Sequence, residues 1–194
     1  VIKARLGDRL DAWLKAVLPF LFRRPLDPNA LTVLGLVPAV GAGVAFGKGM
    51  VRLGGILLGV SGLFDLSDGL LARLGNKETK FGALLDSTID RYSEIAVYIG
   101  LAIFYRGEAT LWGVLLALAG SLMVSYLKAR VEGLGFSCKS GMLQRPERLV
   151  ILILGALIGA NVLKWAIWLV AVLANITALE RLIRTRSLMG KQNG

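Results

Sequence analysis

Histidine is absent from the 194 residues, and there is a single cysteine, Cys138. Without histidine there is no imidazole general base, no Ser–His or Cys–His nucleophile pair and no His-ligated metal. One cysteine excludes an intramolecular disulfide framework and a cysteine-rich zinc site. Any metal must therefore be held by oxygen, which selects a hard cation. Charge is also scarce: 19% of residues are charged and 55% are hydrophobic, against about 25% and about 45–50% in soluble globular chains. Acids are the rarer sign, 13 Asp and Glu against 23 Lys and Arg, for a formal net charge of +10. With a mean hydropathy of +0.66, the composition points to lipid.

Six apolar segments stand out, at 30–47, 53–72, 84–104, 111–128, 149–163 and 165–180. Each is near the roughly 17–25 residues a helix needs to cross a bilayer. Short links at 48–52 and 105–110 make neighbouring helices antiparallel. The last two segments are nearly continuous, with a break expected around Asn161–Lys164. Ahead of them, Ile2, Leu6, Leu10, Trp13, Leu14, Val17 and Leu21 recur at helical spacing, while Lys3, Arg5, Asp8, Arg9, Asp11 and Lys15 fill the other face. This pattern predicts an amphipathic helix lying on the membrane surface. It is not a signal peptide, because no long apolar stretch follows the basic start. The chain starts at Val1 rather than Met, as expected of a trimmed chain. The expected fold is an all-α integral membrane protein with six transmembrane helices behind an N-terminal interfacial helix. It forms a single domain over 1–194, with the juxtamembrane helix in 1–24 and the bundle in 29–186.

The basic residues orient it. With the N-terminus in the cytoplasm, 19 of the 23 Lys and Arg fall on the cytoplasmic side, and Lys48, Arg52, Arg106 and Lys164 fall outside. That asymmetry is the positive-inside pattern and puts both termini in the cytoplasm. The net charge is explained by that bias and by anionic headgroups. Spread over several membrane-proximal loops, it does not form the basic face of a nucleic-acid binder.

Four acids sit where lipid should be. The second segment ends Phe64-Asp65-Leu66-Ser67-Asp68-Gly69-Leu70-Leu71-Ala72-Arg73, and the third begins Gly82-Ala83-Leu84-Leu85-Asp86-Ser87-Thr88-Ile89-Asp90-Arg91. Asp65 and Asp68 are spaced i,i+3 and Asp86 and Asp90 i,i+4, so each pair shares a helix face. Gly75 and Asn76 break the connection, and the two helices must fold back so that the acids converge near the cytoplasmic rim. An Asp at the centre of a spanning helix costs about 2.5–3.5 kcal/mol, and four like charges repel. Divalent cations relieve both costs, and a pair of them is the layout that stabilises both attacking and leaving oxygens in phosphoryl transfer. Solvated loop charges or helix caps would explain Asp86 alone. A cation-transport pathway would explain all four acids, but it has no need of Arg73, which is placed to reach a diphosphate. Gly69 and Gly82 let backbone approach a ligand or the facing helix. For Gly41, Gly55, Gly59 and Gly155, close helix packing is the sufficient reading.

These residues resemble the CDP-alcohol phosphotransferase family, whose pattern is D-x-x-D-G-x-x-A-R, eight residues, then G-x-x-x-D-x-x-x-D. Asp65, Asp68, Gly69, Ala72, Arg73, Gly82, Asp86 and Asp90 fill every fixed position, and Leu74–Phe81 is the spacer. The match covers only 26 residues, but span count and cytoplasmic placement also look like the family. The resemblance implies transfer of a substituted phosphate from a CDP-activated alcohol, often CDP-diacylglycerol, to a second alcohol, with release of CMP. It implies two divalent ions, Mg2+ or Mn2+, on Asp65, Asp68 and Asp86. Asp90 is similar to the family's general base and is also a candidate metal ligand. Gly69, Ala72, Arg73 and Gly82 match the CDP-holding part, with Thr79 where some relatives contact the nucleotide. Pro28-Asn29-Ala30-Leu31-Thr32 looks like the family's entry to its first span, which brings Asn29 and Thr32 toward CDP. The same residues read as a helix start with Asn29 as N-cap. A homodimer is implied too.

The acceptor is read from Ser125-Tyr126-Leu127-Lys128-Ala129-Arg130-Val131-Glu132 and Arg145-Pro146-Glu147-Arg148. Lys128, Arg130, Arg145 and Arg148 bring four basic groups to one rim. They serve either as positive-inside anchors or as ligands of a phosphate on the acceptor. The two strings look like the branch that makes phosphatidylinositol phosphate, or its archaeal lipid counterpart. That implies inositol 1-phosphate as acceptor and CDP-diacylglycerol or CDP-archaeol as donor, in the cell membrane. Glycerol 3-phosphate, the acceptor for phosphatidylglycerol phosphate synthesis, is the alternative within the family. A divalent-cation carrier is the alternative outside it.

Overall fold

The computed structural model describes residues 27–74, 78–137, 141 and 143–190. The predicted amphipathic helix, the Gly75-Asn76 turn and Cys138 lie outside the described residues. Six helices follow one another: α1 (Pro28–Gly47), α2 (Val51–Leu74), α3 (Lys80–Phe104), α4 (Thr110–Gly133), α5 (Arg145–Ile158) and α6 (Ala160–Gly190).

Local chemistry sets the starts of the helices that matter for the site. Asp27 is extended (φ −75°, ψ 120°) and its carboxylate accepts from the Asn29 N–H, with Pro28 at the first helical position. Asp27, not Asn29, is therefore the N-cap, and Asn29 lies in the first turn. The reason is the proline: its fixed φ suits N1, which puts the cap two residues upstream of Asn29. Thr79 caps α3, accepting from Gly82 N at 2.9 Å.

The far turns of the bundle differ from expectation in one place. The break between α5 and α6 is at Gly159, φ 150°, ψ 173°, rather than at Asn161–Lys164. A positive φ of this kind favours glycine, and Asn161–Lys164 carry the helix on instead. α5 is left with 14 residues, about 21 Å at 1.5 Å per residue, and α6 with 31.

α1 packs against α2 and α3, α4 against α6, α2 and α6 against α5, and α3 against α4. The core runs through Phe46, Leu58, Val97, Tyr98, Leu101, Val114, Leu152, Ala156, Leu163, Ile167 and Val170. Small residues let helices touch. A Cβ on Gly43 would overlap the Ala96 carbonyl, and one on Gly100 would overlap the Gly43 backbone. Phe46 closes on Gly54, and Ala156 on Gly55. The packing reading holds for Gly55 and Gly155, whose added Cβ would meet Ala156 and Ala166 within 2.8 Å. It fails for Gly59, which has nothing within 4 Å.

Outward-facing apolar side chains, such as Val37 at 67%, Trp112 at 66% and Trp165 at 71% exposed, fit a lipid surround rather than water. Among the described residues, four helices are long and apolar enough to cross a membrane: Pro28–Gly47, Val51–Arg73, Thr110–Gly133 and Ala160–Ser187. The six-span expectation is met only this far. α3 carries five charged residues between Lys80 and Glu94, and α5 falls short of a hydrocarbon core of about 30 Å.

Candidate active site

The last turns of α2 and the first turns of α3 face each other beside the start of α1. Ser61 Oγ donates to the Gly35 carbonyl at 2.9 Å and ties α2 to α1 one turn from Asp65. On this frame a carboxylate oxygen each from Asp65, Asp68 and Asp86 lies within 4.8 Å of the others. Asp68 is 5% exposed, and its Oδ2 is buried with no hydrogen-bond partner among the described residues. A buried, unpartnered carboxylate oxygen among two more carboxylates is costly unless a cation takes it up. The donor set, all oxygen and all anionic, fits a hard divalent ion.

Asp90, which the sequence places with these three, shares a cationic partner with one of them. Asp90 Oδ1 pairs with Arg145 Nη1 at 2.9 Å, and the same nitrogen reaches Asp65 Oδ2 at 3.0 Å. Arg91 lies further off at 3.8 Å and donates to the Ser87 carbonyl. One turn deeper, Arg148 Nη2 and Nε donate to Glu94 Oε1 at 2.7 and 3.2 Å, and Nη1 to the Leu143 carbonyl at 3.5 Å. Arg148 is 1% exposed and Glu94 6%. Two rungs therefore join α3 to α5: Asp90–Arg145 above and Glu94–Arg148 below. Lys128 and Arg130 are exposed at the end of α4. The four basic candidates are thus divided: Arg145 joins the carboxylates, Arg148 is held by Glu94, and Lys128 and Arg130 face outward.

Two spaces meet at the aspartates. A cavity of about 390 Å³ is lined by Asn29, Thr32, Gly69, Ala72, Arg73, Thr79 and Gly82 together with Asp65, Asp68 and Asp86. Every residue expected to hold the nucleotide lines this one cavity. A Cβ added at Gly69 would meet nothing within 4 Å, and one added at Gly82 would press on Asn29 Oδ1 and Thr79 Oγ1 at 3.0 Å. Glycine at both positions keeps the wall open. A narrow crevice on the other side shares Thr32, Asp65, Asp68 and Asp86, and adds Ser61, Ser93, Asp90 and Arg145. The three clustered carboxylates are the partition between them.

Residues 26–177 match the family described as CDP-alcohol phosphatidyltransferase. The chain belongs to this family. Among curated relatives, archaetidylinositol phosphate synthase of Methanothermobacter thermautotrophicus is 37% identical over 169 residues, covering 85% of this chain and 86% of its own. Phosphatidylinositol phosphate synthase of Mycobacterium tuberculosis is 37% identical over 174 residues, covering 84% and 80%. The solved structure of the M. tuberculosis synthase with CDP-DAG bound superposes with a TM-score of 0.79 at 33% identity, covering 89% of this chain and 92% of that one. The same synthase in complex with manganese and citrate gives 0.79 and 33%, covering 89% and 88%. The protein is therefore a membrane-embedded phospholipid-synthesis transferase of the phosphatidylinositol phosphate synthase type. Its three-aspartate group could hold a metal, and the M. tuberculosis synthase has been solved in complex with manganese.

Glu94, Glu78, Ser61 and Ser93 were not singled out from sequence. Glu94 had a readable signal, since Asp86, Asp90 and Glu94 continue one i,i+4 row along α3. The two serines carry no such pattern, and only helix packing brings them to the crevice.

Proposed function

We propose that this protein transfers the phosphatidyl group of CDP-diacylglycerol, or the archaeal equivalent of CDP-archaeol, to a hydroxyl of inositol 1-phosphate, giving phosphatidylinositol phosphate and CMP. The observation that carries this reading is the partition. One face of the Asp65–Asp68–Asp86 group looks into a cavity lined by all the nucleotide candidates. The other looks into a crevice holding Asp90 and Arg145. Donor and acceptor then meet from opposite sides of the carboxylates, as in-line displacement requires.

In this reading Asn29, Thr32, Thr79 and Arg73 bind and orient the CDP part, and Gly69, Ala72 and Gly82 make room for it. Asp65, Asp68 and Asp86 would hold two Mg2+ or Mn2+ ions, with Asp90 as a further candidate ligand. Those ions would supply charge neutralisation at the diphosphate. Asp90 takes the proton of the incoming hydroxyl, a general-base role worth roughly 10²–10⁴-fold. Arg145 orients the Asp90 carboxylate. With the exposed Lys128 and Arg130, it is the candidate ligand of the acceptor phosphate; Arg148, buried against Glu94, is left to brace the site. We place the helix bundle in the plasma membrane as a homodimeric, single-domain protein, with the aspartate end and both termini cytoplasmic. The 19-to-4 division of Lys and Arg supports that orientation.

The test is CMP release from CDP-diacylglycerol, and from CDP-archaeol, with Mg2+ and one acceptor at a time: inositol 1-phosphate, inositol, glycerol 3-phosphate or serine. Release with inositol 1-phosphate alone is the expected result. Release with glycerol 3-phosphate instead would move the protein to the phosphatidylglycerol phosphate branch. Family membership already weighs against a cation carrier.

A further inference from the structure

One guanidinium nitrogen, Arg145 Nη1, bridges two carboxylates on two different helices, at 3.0 Å to Asp65 on α2 and 2.9 Å to Asp90 on α3. Asp65 is also one of the three acids whose oxygens lie within 4.8 Å of one another. The side chains of all three bridged groups are 15–17% exposed, so water screens the acids poorly and a nearby cation is needed to hold them together. We propose that Arg145 is a tethered counter-cation: it neutralises the acids when no divalent ion is bound and is displaced from Asp65 when one binds. The proposal rests on the reading of Asp65, Asp68 and Asp86 as a metal site.

Three features make the exchange possible. Arg145 is the first residue of α5, so its side chain leaves from a helix end and can swing. The helix itself does not follow, because Arg148 is locked to Glu94 three residues along. Arg145 is also incompletely held: its Nε is buried with no hydrogen-bond partner among the described residues. A divalent ion offers Asp65 twice the charge and repels the guanidinium. The two cations therefore compete for one carboxylate, which a merely structural ion pair would not do.

The test uses Mn2+ alone, with the full chain in detergent and neither nucleotide nor acceptor, reading free Mn2+ by electron paramagnetic resonance. Arg145→Gln should bind Mn2+ about tenfold tighter than wild type, the scale of removing one competing charge. Arg145→Lys, which keeps the charge, should stay within about twofold of wild type. A second measurement needs no variant. Labelling of wild-type Arg145 by a guanidinium-selective dicarbonyl, read by peptide mass spectrometry, should rise when Mn2+ is added. Unchanged or weaker Mn2+ binding in Arg145→Gln overturns the proposal. So does equal tightening in Arg145→Lys, or labelling that does not rise. Absence of Mn2+ binding in wild type and variants alike would overturn the metal reading itself, and this inference with it.

Discussion

The two ends of the bundle are held together by different physics. At the end away from the aspartates, helices touch through absent side chains. Gly43 and Gly100 bring the α1 and α3 backbones into contact, and Gly54 and Gly55 admit Phe46 and Ala156. The ion pair there, Lys164–Glu108 at 3.7 Å, is 42% and 52% exposed, a kind worth about 0–1 kcal/mol. At the aspartate end, Gly59, Gly62 and Gly69 have nothing within 4 Å of an added Cβ. The helices are joined instead by charged rungs, Arg145 to Asp65 and Asp90, and Arg148 to Glu94. One end needs shape to be stable, and the other gives up shape to keep two spaces open. Gly100 therefore means packing at one end, and Gly69 room for a ligand at the other.

The comparison can be broken at three points. Asp90→Asn should have the largest effect. Turnover falls by about 10³-fold, within the range of general-base removal, while the thermal stabilisation conferred by CMP with Mg2+ stays close to wild type. A variant that still turns over would remove Asp90 as the base. Next is the lower rung. Glu94→Gln leaves the Arg148 charge buried without its partner, a loss of about 3–5 kcal/mol. Replacing both by methionine should recover most of it. A double variant no more stable than the single one would show that the charges do not hold this end. The smallest effects come from matched glycines. Gly100→Ala should cost about 1–3 kcal/mol by overpacking and leave the CMP effect intact. Gly69→Ala should be neutral or stabilising by about 0.5–1 kcal/mol, as for glycine in a helix interior, yet weaken the CMP effect. Melting in detergent with and without CMP and Mg2+ reads both, and equal behaviour at the two positions would dissolve the distinction.

Much of the site was legible because its signals are local. The i,i+3 and i,i+4 spacings put Asp65 with Asp68 and Asp86 with Asp90 on single helix faces, and glycines at 69 and 82 mark places where backbone must be bare. Asn29 was readable as a member of a helix start, whereas Thr79 came only through the family resemblance. What was not legible depends on which faces meet. Arg145 and Arg148 stand three residues apart in one basic string, yet one reaches the carboxylates and the other is sealed against Glu94. Gly55 and Gly59 are equivalent by spacing, yet only Gly55 meets another helix.

The sequence by itself determined the chemistry available to this protein: no imidazole, no thiol pair, and four aspartates at helical spacing in apolar surroundings. It also determined the membrane class, through composition, and the family, through eight residues at fixed intervals. The tertiary structure alone decided how the acids are arranged, with three grouped for a cation and Arg145 bridging one of them, Asp65, to the fourth, Asp90. It alone turned those three into a wall between two spaces. The reason is range. Spacing along a helix is set by bonds and backbone geometry within a few residues. The partner of a charge is set by the packing of α2, α3 and α5, whose relevant residues are up to 80 positions apart, as Asp65 and Arg145 are.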